Sequence, residues 1–247
     1  MSIPLAIVGY GKMGRMVEKL APEFGFAVCA RLTKAEMANV SIASLGGAAV
    51  AIEFTNGAAA PQNLRRLAKL RVNTVCGTTG WYEQLPEILD EFQAAKTGLV
   101  FGANFSVGVN LFLEIVAYAA SVISKHPEYE AWGWEIHHSA KKDAPSGTLK
   151  KLAEEIHAVG FRRQLSLSSN RAGAHAGTHE IGFDSARDTI TMRHTARNRE
   201  GFARGALQAA RWIAGKDGVH EFRKIFGELA GFVSKGEEEN SIASKFV

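Results

Sequence analysis

The sequence predicts an α/β protein in which a doubly wound parallel sheet is interrupted by an inserted α+β unit. Three observations predict it. Through the first hundred residues, short β-rich runs take turns with helix-like ones, and the runs are apolar without alternation. Strands of that kind are covered on both faces, as in a parallel sheet flanked by helices. The first run, Leu5-Ala6-Ile7-Val8, leads straight into a glycine-rich turn. Beyond Asn104 the regular exchange of strand and helix ends, and strand candidates gather around helices as they do in an α+β unit.

In chain order, the first half reads as a strand over 4–8, a helix over 13–24, and strands over 27–32 and 50–54. A helix over 61–69, a strand over 73–76, a helix over 85–95 and a strand over 99–101 complete it. The inserted part opens on a long apolar helix, 109–124, followed by a strand over 129–136. A further helix starts at Ser146, a good N-cap, and runs through Leu149, Leu152, Ala153 and Ile156. Strands over 177–183 and 189–196 follow, then a helix over 205–214 and a helical segment over 219–232 that returns to the first domain. The expected division is therefore 1–106 with 200–247, a dinucleotide-binding domain, and 107–199, a substrate-binding and oligomerisation domain. The charged run 234–240 reads as a solvated tail, and no internal repeat is visible.

A chain of 247 residues, 46% hydrophobic, can bury a sizeable core as one large domain or two small ones. Net charge is only +4, from 29 basic and 25 acidic side chains largely interspersed, with arginines concentrated over 162–211. That balance argues against nucleic acid and suits an anionic metabolite. Cys29 and Cys76 lie in apolar strand-like runs and read as reduced, buried thiols, and no Cys/His spacing suits a zinc ion, so no metal is expected. The apolar run 3–8 is too short to span a membrane and precedes a glycine turn rather than a cleavage site, so a cytoplasmic protein without membrane contact is expected.

Gly9-Tyr10-Gly11-Lys12-Met13-Gly14 fits the G-x-G-x-x-G fingerprint between a strand and a helix, the setting of a Rossmann dinucleotide fold. Gly9 permits the tight turn, Gly11 lets the backbone approach a pyrophosphate, and Gly14 lets helix pack on strand. About twenty residues on, where an NAD-selective domain carries an acid for the ribose hydroxyls, stands Arg31-Leu32-Thr33-Lys34. Lys34 can meet a 2′-phosphate and Thr33 a ribose hydroxyl, which favours NADPH; Glu36 is the nearest acid and works against that preference. Two later turns, Gly77-Thr78-Thr79-Gly80 and the one from Asn104 to Asn110, follow strand ends and should face the nicotinamide half. The hydroxyls of Thr78 and Thr79 and the backbone around Asn104 and Phe105 are its expected contacts.

The stretch from Trp134 to Thr148 carries the chemistry of a small acid. His137, His138 and Lys141 supply cationic or switchable groups directly before a helix start. Free backbone N–H groups and the positive end of the helix dipole at Gly147 and Thr148 can hold a carboxylate while Lys141 neutralises it. The plainer reading is a capped surface helix after a polar loop.

Taken together, these residues resemble the 4-hydroxy-tetrahydrodipicolinate reductase (dihydrodipicolinate reductase) family over nearly the whole chain. Val8-Gly9-Tyr10-Gly11-Lys12-Met13-Gly14-Arg15, Glu53-Phe54-Thr55, the two later glycine turns, Glu135-Ile136-His137-His138, Lys141 and Asp143-Ala144-Pro145-Ser146-Gly147-Thr148 carry the resemblance. Arg171-Ala172-Gly173 and Gly177-Thr178-His179-Glu180 add to it. The resemblance implies an enzyme in which NADPH or NADH reduces a conjugated cyclic imine dicarboxylate, formed as a 4-hydroxyl leaves as water, in the diaminopimelate route to lysine. It implies a proton donor and acceptor at His137 and a proton donor at Lys141. Substrate contacts are implied at His138, Ser146, Gly147 and Thr148, with Arg199 a candidate for the second carboxylate. Cofactor contacts extend to Phe54, Gly102 and Ala103, and a homotetramer is implied. His175, His179 and His194 are expected to be structural or exposed. The family often has an acid and then an arginine where Thr33 and Lys34 stand, so cofactor choice departs from its pattern. Two other readings compete. Another two-domain nicotinamide reductase, such as an amino-acid or sugar dehydrogenase, would not need the Ser146-Gly147-Thr148 cradle; a non-catalytic dinucleotide-sensing module would not need His137 and Lys141.

Overall fold

The structure, a computed structural model, describes residues 1–231. The tail expected over 234–240 lies outside the described residues. The chain divides into two compact units, one of residues 1–106 joined by the segment from Glu200, the other of residues 107–199.

The first unit runs β1 (Ile3–Val8), α1 (Lys12–Leu20), β2 (Phe26–Leu32), α2 (Lys34–Ala38), β3 (Val50–Glu53), α3 (Ala60–Lys69), β4 (Asn73–Cys76), α4 (Leu85–Ala95) and β5 (Gly98–Phe101). The second unit contributes α5 (Val107–Ile123), β6 (Glu130–His137), α6 (Gly147–Ala158), β7 (Leu165–Arg171), β8 (Thr178–Asp184) and β9 (Thr189–Thr195). The chain then adds α7 (Glu200–Ile213), β10 (Gly218–Glu221) and α8 (Phe222–Ala230) to the first.

In the first unit all strand pairs are parallel, in the order β10-β5-β4-β3-β1-β2. The unbroken apolar runs have the consequence expected of them: Leu5 to Val8 and Val50 to Ile52 are wholly buried because both faces are covered. One layer gathers Ala6, Val8, Leu32 and Leu67; another gathers Leu64, Cys76, Ile88, Phe92 and Leu99, whereas Cys29, expected to be buried, is exposed because β2 is an edge strand with alternate residues outward. The helix expected over 219–232 is corrected at its start. Residues 218–221 form β10, added to the sheet edge by parallel pairing with β5, and only then does α8 begin. The helix expected over 13–24 ends at Leu20 and gives way to a 3₁₀ turn, Ala21–Phe24, with Pro22 near its start and Gly25 at φ +76° closing it.

The second unit is a four-stranded mixed sheet, β7-β6-β8-β9, in which β7 runs parallel to β6 and the other pairs are antiparallel. Strand β7 was not expected from the sequence. On β6 every second residue, Ala131, Gly133, Glu135 and His137, is buried, while Trp132, Trp134 and Ile136 are half-buried on the opposite face. Ladder partners extend the inner face: Phe183, Ile181 and His179 on β8, Leu165, Leu167, Ser169 and Arg171 on β7. One end of this face packs with Phe112, Val116, Leu149, Leu152 and Ile156 of α5 and α6 as an apolar core. The other end is polar.

Candidate active site

In the first unit the loops at the carboxyl ends of β1 to β5 are shaped mainly by close backbone approach. Gly9 has φ +92°, and a Cβ there would overlap the carbonyl oxygen of Phe54; one on Gly14 would overlap the carbonyl of Gly9. Gly11 differs, for it needs no positive φ and a Cβ would meet nothing within 4 Å. It is the N-cap of α1, whose first turn has no acidic residue and no side-chain cap, so the N–H groups beginning at Lys12 and Met13 are left for an anion. Tyr10 donates its hydroxyl hydrogen bond to Glu18, which also pairs with Arg31.

The loop after β2 modifies the sequence reading. Thr33 and Glu36 form a capping box: the Thr33 N–H donates to Glu36 Oε2 at 2.8 Å and its hydroxyl donates to the same oxygen. These bonds hold the Glu36 carboxyl below its usual range. A carboxylate therefore does stand beside Thr33, and the Thr33 hydroxyl is engaged in it; Lys34 is exposed at the first turn of α2.

Phe54 lies against Gly77, where a Cβ would overlap its ring. Thr78 is buried, its hydroxyl accepting from the Thr55 N–H at 2.7 Å, whereas Thr79 is exposed. Gly102 is buried beside Phe222 and Ala103 is exposed. The Asn104 side chain accepts from the Ser106 N–H at 2.9 Å, and the Phe105 ring packs 4.5 Å from that of Phe222. Phe105 is thus a core anchor of its loop, leaving backbone as its means of contact.

In the second unit the polar end of the sheet is organised by Glu135, which is wholly buried. Its Oε1 accepts from the Ser146 N–H at 2.8 Å, the Ser169 hydroxyl at 2.9 Å and Arg171 Nη2 at 2.9 Å. Its Oε2 lies 3.6 Å from His137 Nδ1 and 3.4 Å from His179 Nε2. Burial alone would raise the Glu135 carboxyl, but the bonds from Ser146, Arg171 and Ser169 outweigh it and hold it at about 2. Burial above all, with His137 next to it, brings His179 down to about 4, against the opposing pull of Glu135. Burial also lowers His137, offset in part by Glu135 and reinforced by Lys141 and Arg171. Both shifts favour the neutral imidazole.

Ser146 caps α6, its hydroxyl accepting from the Leu149 N–H at 3.2 Å. Gly147 is exposed and, like Gly11, would place a Cβ in open space. Thr148 is half-buried. The Lys141 ammonium lies 2.8 Å from Asp143, and that bond draws the Asp143 carboxyl below its usual range. His138 is half-buried on the turn between His137 and Lys141, where the Lys141 N–H donates to its carbonyl at 3.0 Å. Arg171 also donates to the Asp143 carbonyl, so Lys141, through Asp143, and the Ser146 helix start are tied through Glu135 into one network that lies beside His137. Arg199 is not part of it: it is exposed between β9 and α7, without a hydrogen bond or ion pair to this cluster. His175 is exposed, and His194 is half-buried with its ring 5.9 Å from that of Phe112. His179 is a buried member of the network.

Glu135, Ser169 and Arg171 had no role in the sequence reading. A signal for Glu135 was present, since period-two counting along β6 puts it on the inner face with Ala131 and Gly133. Ligand atoms of Glu135, His137 and His179 lie within 4.8 Å of one another, a spacing a metal ion can bridge. Arg171 at 2.9 Å from the carboxylate supplies the positive charge instead and opposes a divalent cation there.

Known proteins match the chain over both units. Residues 3–105 fit the family described as Dihydrodipicolinate reductase, N-terminus, and residues 108–226 that described as Dihydrodipicolinate reductase, C-terminus. A 4-hydroxy-tetrahydrodipicolinate reductase of Archaeoglobus fulgidus is 33% identical over 240 residues, spanning 84% of this chain and 92% of the relative. The chain belongs to the dihydrodipicolinate reductase family. Another such reductase, from Christiangramia forsetii, is 28% identical across 91% of this chain and 98% of its own. Among solved structures, the dipicolinate-bound dihydrodipicolinate reductase of Paenisporosarcina sp. TG-14 shares the fold, with a TM-score of 0.72 at 21% identity over 90% of this chain and 98% of that one. An amine dehydrogenase from Mycobacterium smegmatis, TM-score 0.59 at 10% identity over 90% and 96%, shares it more loosely.

Proposed function

We infer that the protein is an NAD(P)H-dependent 4-hydroxy-tetrahydrodipicolinate reductase serving lysine biosynthesis through diaminopimelate. The observation that carries this reading is the Ser146 helix start, held on a buried carboxylate and flanked by Lys141, in a chain that also carries the Gly9 loop. Membership of the reductase family narrows the substrate to the cyclic imine dicarboxylate.

The first unit would hold the nucleotide, its pyrophosphate against the backbone of Gly9 to Gly14 and its adenosine ribose near Thr33 and Lys34. Phe54, Gly77 to Thr79 and the backbone of 102–105 would face the nicotinamide. When bound, the cofactor supplies a hydride. Gly147 and Thr148 present N–H groups to one substrate carboxylate, and His138 adds a contact. Lys141 exchanges Asp143 for the substrate and donates the proton that the reduced substrate requires. Neutral His137 is able to receive a proton and pass it on. Arg199 stands at the edge of this assignment as a candidate for the second carboxylate.

Both nucleotides are used: the Lys34 ammonium attracts a 2′-phosphate while the Glu36 carboxylate repels it, so neither is excluded. The outer face of the second sheet, with Trp132, Trp134 and Ile136, suits assembly into a homotetramer. No helix among the described residues is long and apolar enough to cross a membrane, and we place the enzyme in the cytoplasm.

The test is turnover of the cyclic imine with NADPH and with NADH, followed by nicotinamide oxidation. Turnover with both, blocked competitively by pyridine-2,6-dicarboxylate, is expected. Nucleotide binding without turnover of this substrate would refute the reading, and sedimentation at the mass of a single chain would refute the tetramer.

A further inference from the structure

The inner face of β6 carries a carboxylate at a position where its neighbours on the strand are small and its surroundings are buried. Three donors saturate Glu135 Oε1. Its Oε2 is buried without a hydrogen bond and faces two ring nitrogens: His179 Nε2 at 3.4 Å, which lies 3.2 Å from the Ser146 hydroxyl, and His137 Nδ1 at 3.6 Å, itself buried without a hydrogen bond. A buried polar atom left unmet is costly, so two such atoms facing each other are poised to form a bond. The far nitrogen of the same ring is kept open by Gly177, where a Cβ would come within 3.0 Å of His137 Nε2.

We propose that Glu135 is a positioning residue of the reaction: its Oε2 accepts a hydrogen bond from the Nδ1–H of His137 and fixes that ring as the Nδ1–H tautomer, leaving Nε2 as the nitrogen that receives and returns a proton. This rests on the reductase reading above. A proton arriving at Nε2 creates an imidazolium whose charge Glu135 offsets, and the proton leaves again from Nε2 to the substrate or to water; Glu135 itself stays ionised throughout. The groups facing His137 are Glu135 on its own strand, Arg171 from β7, His179 from β8, and Lys141 and Asp143 from the loop before α6, with His194 of β9 behind His179. Glu135 and Asp143 favour the imidazolium, while burial, Lys141 and Arg171 oppose it.

The experiment is a titration of the full-length protein labelled with ¹⁵N-histidine, without ligands, for the wild type, Glu135→Gln and Glu135→Asp. The Gln side chain keeps an acceptor for the Ser146 N–H and removes the charge. The neutral His137 ring should be the Nδ1–H tautomer in the wild type, its titration should move to lower pH in Glu135→Gln, and Glu135→Asp should bring it back up. In parallel, kcat of Glu135→Gln should fall on the order of 10- to 100-fold, the range for a lost orienting partner, with the larger part of the loss in kcat rather than KM. An unmoved His137 titration in a folded Glu135→Gln variant overturns the proposal, whatever happens to activity. If that variant does not fold, the wild-type tautomer decides: Nδ1–H supports the pairing and Nε2–H overturns it. Absence of turnover in the wild type would remove the reductase reading, while the tautomer and titration still decide whether Glu135 governs His137.

Discussion

The Gly9 loop of the first unit and the Glu135 cluster of the second both end at a helix start suited to an anion, yet they are made by opposite means. In the loop, shape comes from side chains that are missing: Gly9, Gly14 and Gly77 each sit where a Cβ would overlap a neighbour. In the cluster, shape comes from side chains that are present, with a buried carboxylate tying Ser146, Ser169 and Arg171 together. Gly11 and Gly147 are the exceptions that link the two, for neither backbone geometry nor packing demands glycine at either. A loop built from backbone tolerates few substitutions but is indifferent to pH; a cluster built from charged side chains should respond to pH and to the loss of single charges.

The largest expected effect lies in the cluster. Lys141→Ala removes both a carboxylate partner and a proton donor, and kcat should drop on the order of 10²- to 10⁴-fold. A variant retaining kcat within a few-fold would take the acid role away from Lys141. Next comes Arg171→Ala, which strands the Glu135 charge in a buried site and should cost about 3–5 kcal/mol of stability by denaturant titration. A loss near that of an exposed ion pair, about 1 kcal/mol or less, would show that Glu135 is not held as described.

For the loop, the contrast between two glycines is the sharper probe. Gly9→Ala combines an unfavourable φ with overlap on Phe54 and should lower stability by about 2–3 kcal/mol or more. Gly11→Ala should leave the melt within about 0.5 kcal/mol of wild type. If the two variants melt alike, packing does not explain Gly9.

The smallest effect is the response to acid. His179 has a folded pKa of about 4 against an unfolded 6.5, so as pH falls through 6.5 the unfolded chain takes up a proton that the folded one refuses. Its contribution is complete above pH 6.5 and is lost as pH falls toward 4, on the order of 1–3 kcal/mol. His179→Asn should flatten thermal stability over that interval; an unchanged slope would contradict a neutral buried His179.

The same contrast explains what was legible in the sequence. Backbone-built features leave composition behind: the Gly9 fingerprint, the buried runs of β1 and β3, and the Ser146 cap can all be read from residue types at fixed spacing. Features that depend on distant partners do not. Strand β10 is four residues whose identity comes from pairing with β5, and in isolation Val219-His220-Glu221 reads equally well as the first turn of α8. Strand β7 carries a period-two pattern, Leu165-Ser166-Leu167-Ser168, but its place beside β6 is a tertiary choice. Glu36 is visible in the sequence as the nearest acid, but its bonds to the Thr33 N–H and hydroxyl exist only once α2 has formed. The sequence places Glu135 on the inner face of β6, but only the ladder reveals that it sits opposite His179 and beside Arg171.

The central claim is that a loop made by absent side chains serves the nucleotide and a cluster made by charged ones serves the dicarboxylate. Calorimetric titration of wild type, Gly11→Ala and Lys141→Ala tests it most directly, with NADPH alone and then with pyridine-2,6-dicarboxylate at saturating NADPH. Gly11→Ala should weaken NADPH and leave the dicarboxylate at wild-type affinity, and Lys141→Ala should do the reverse. Loss of both ligands in either variant, or an exchange of the two effects, would contradict the account.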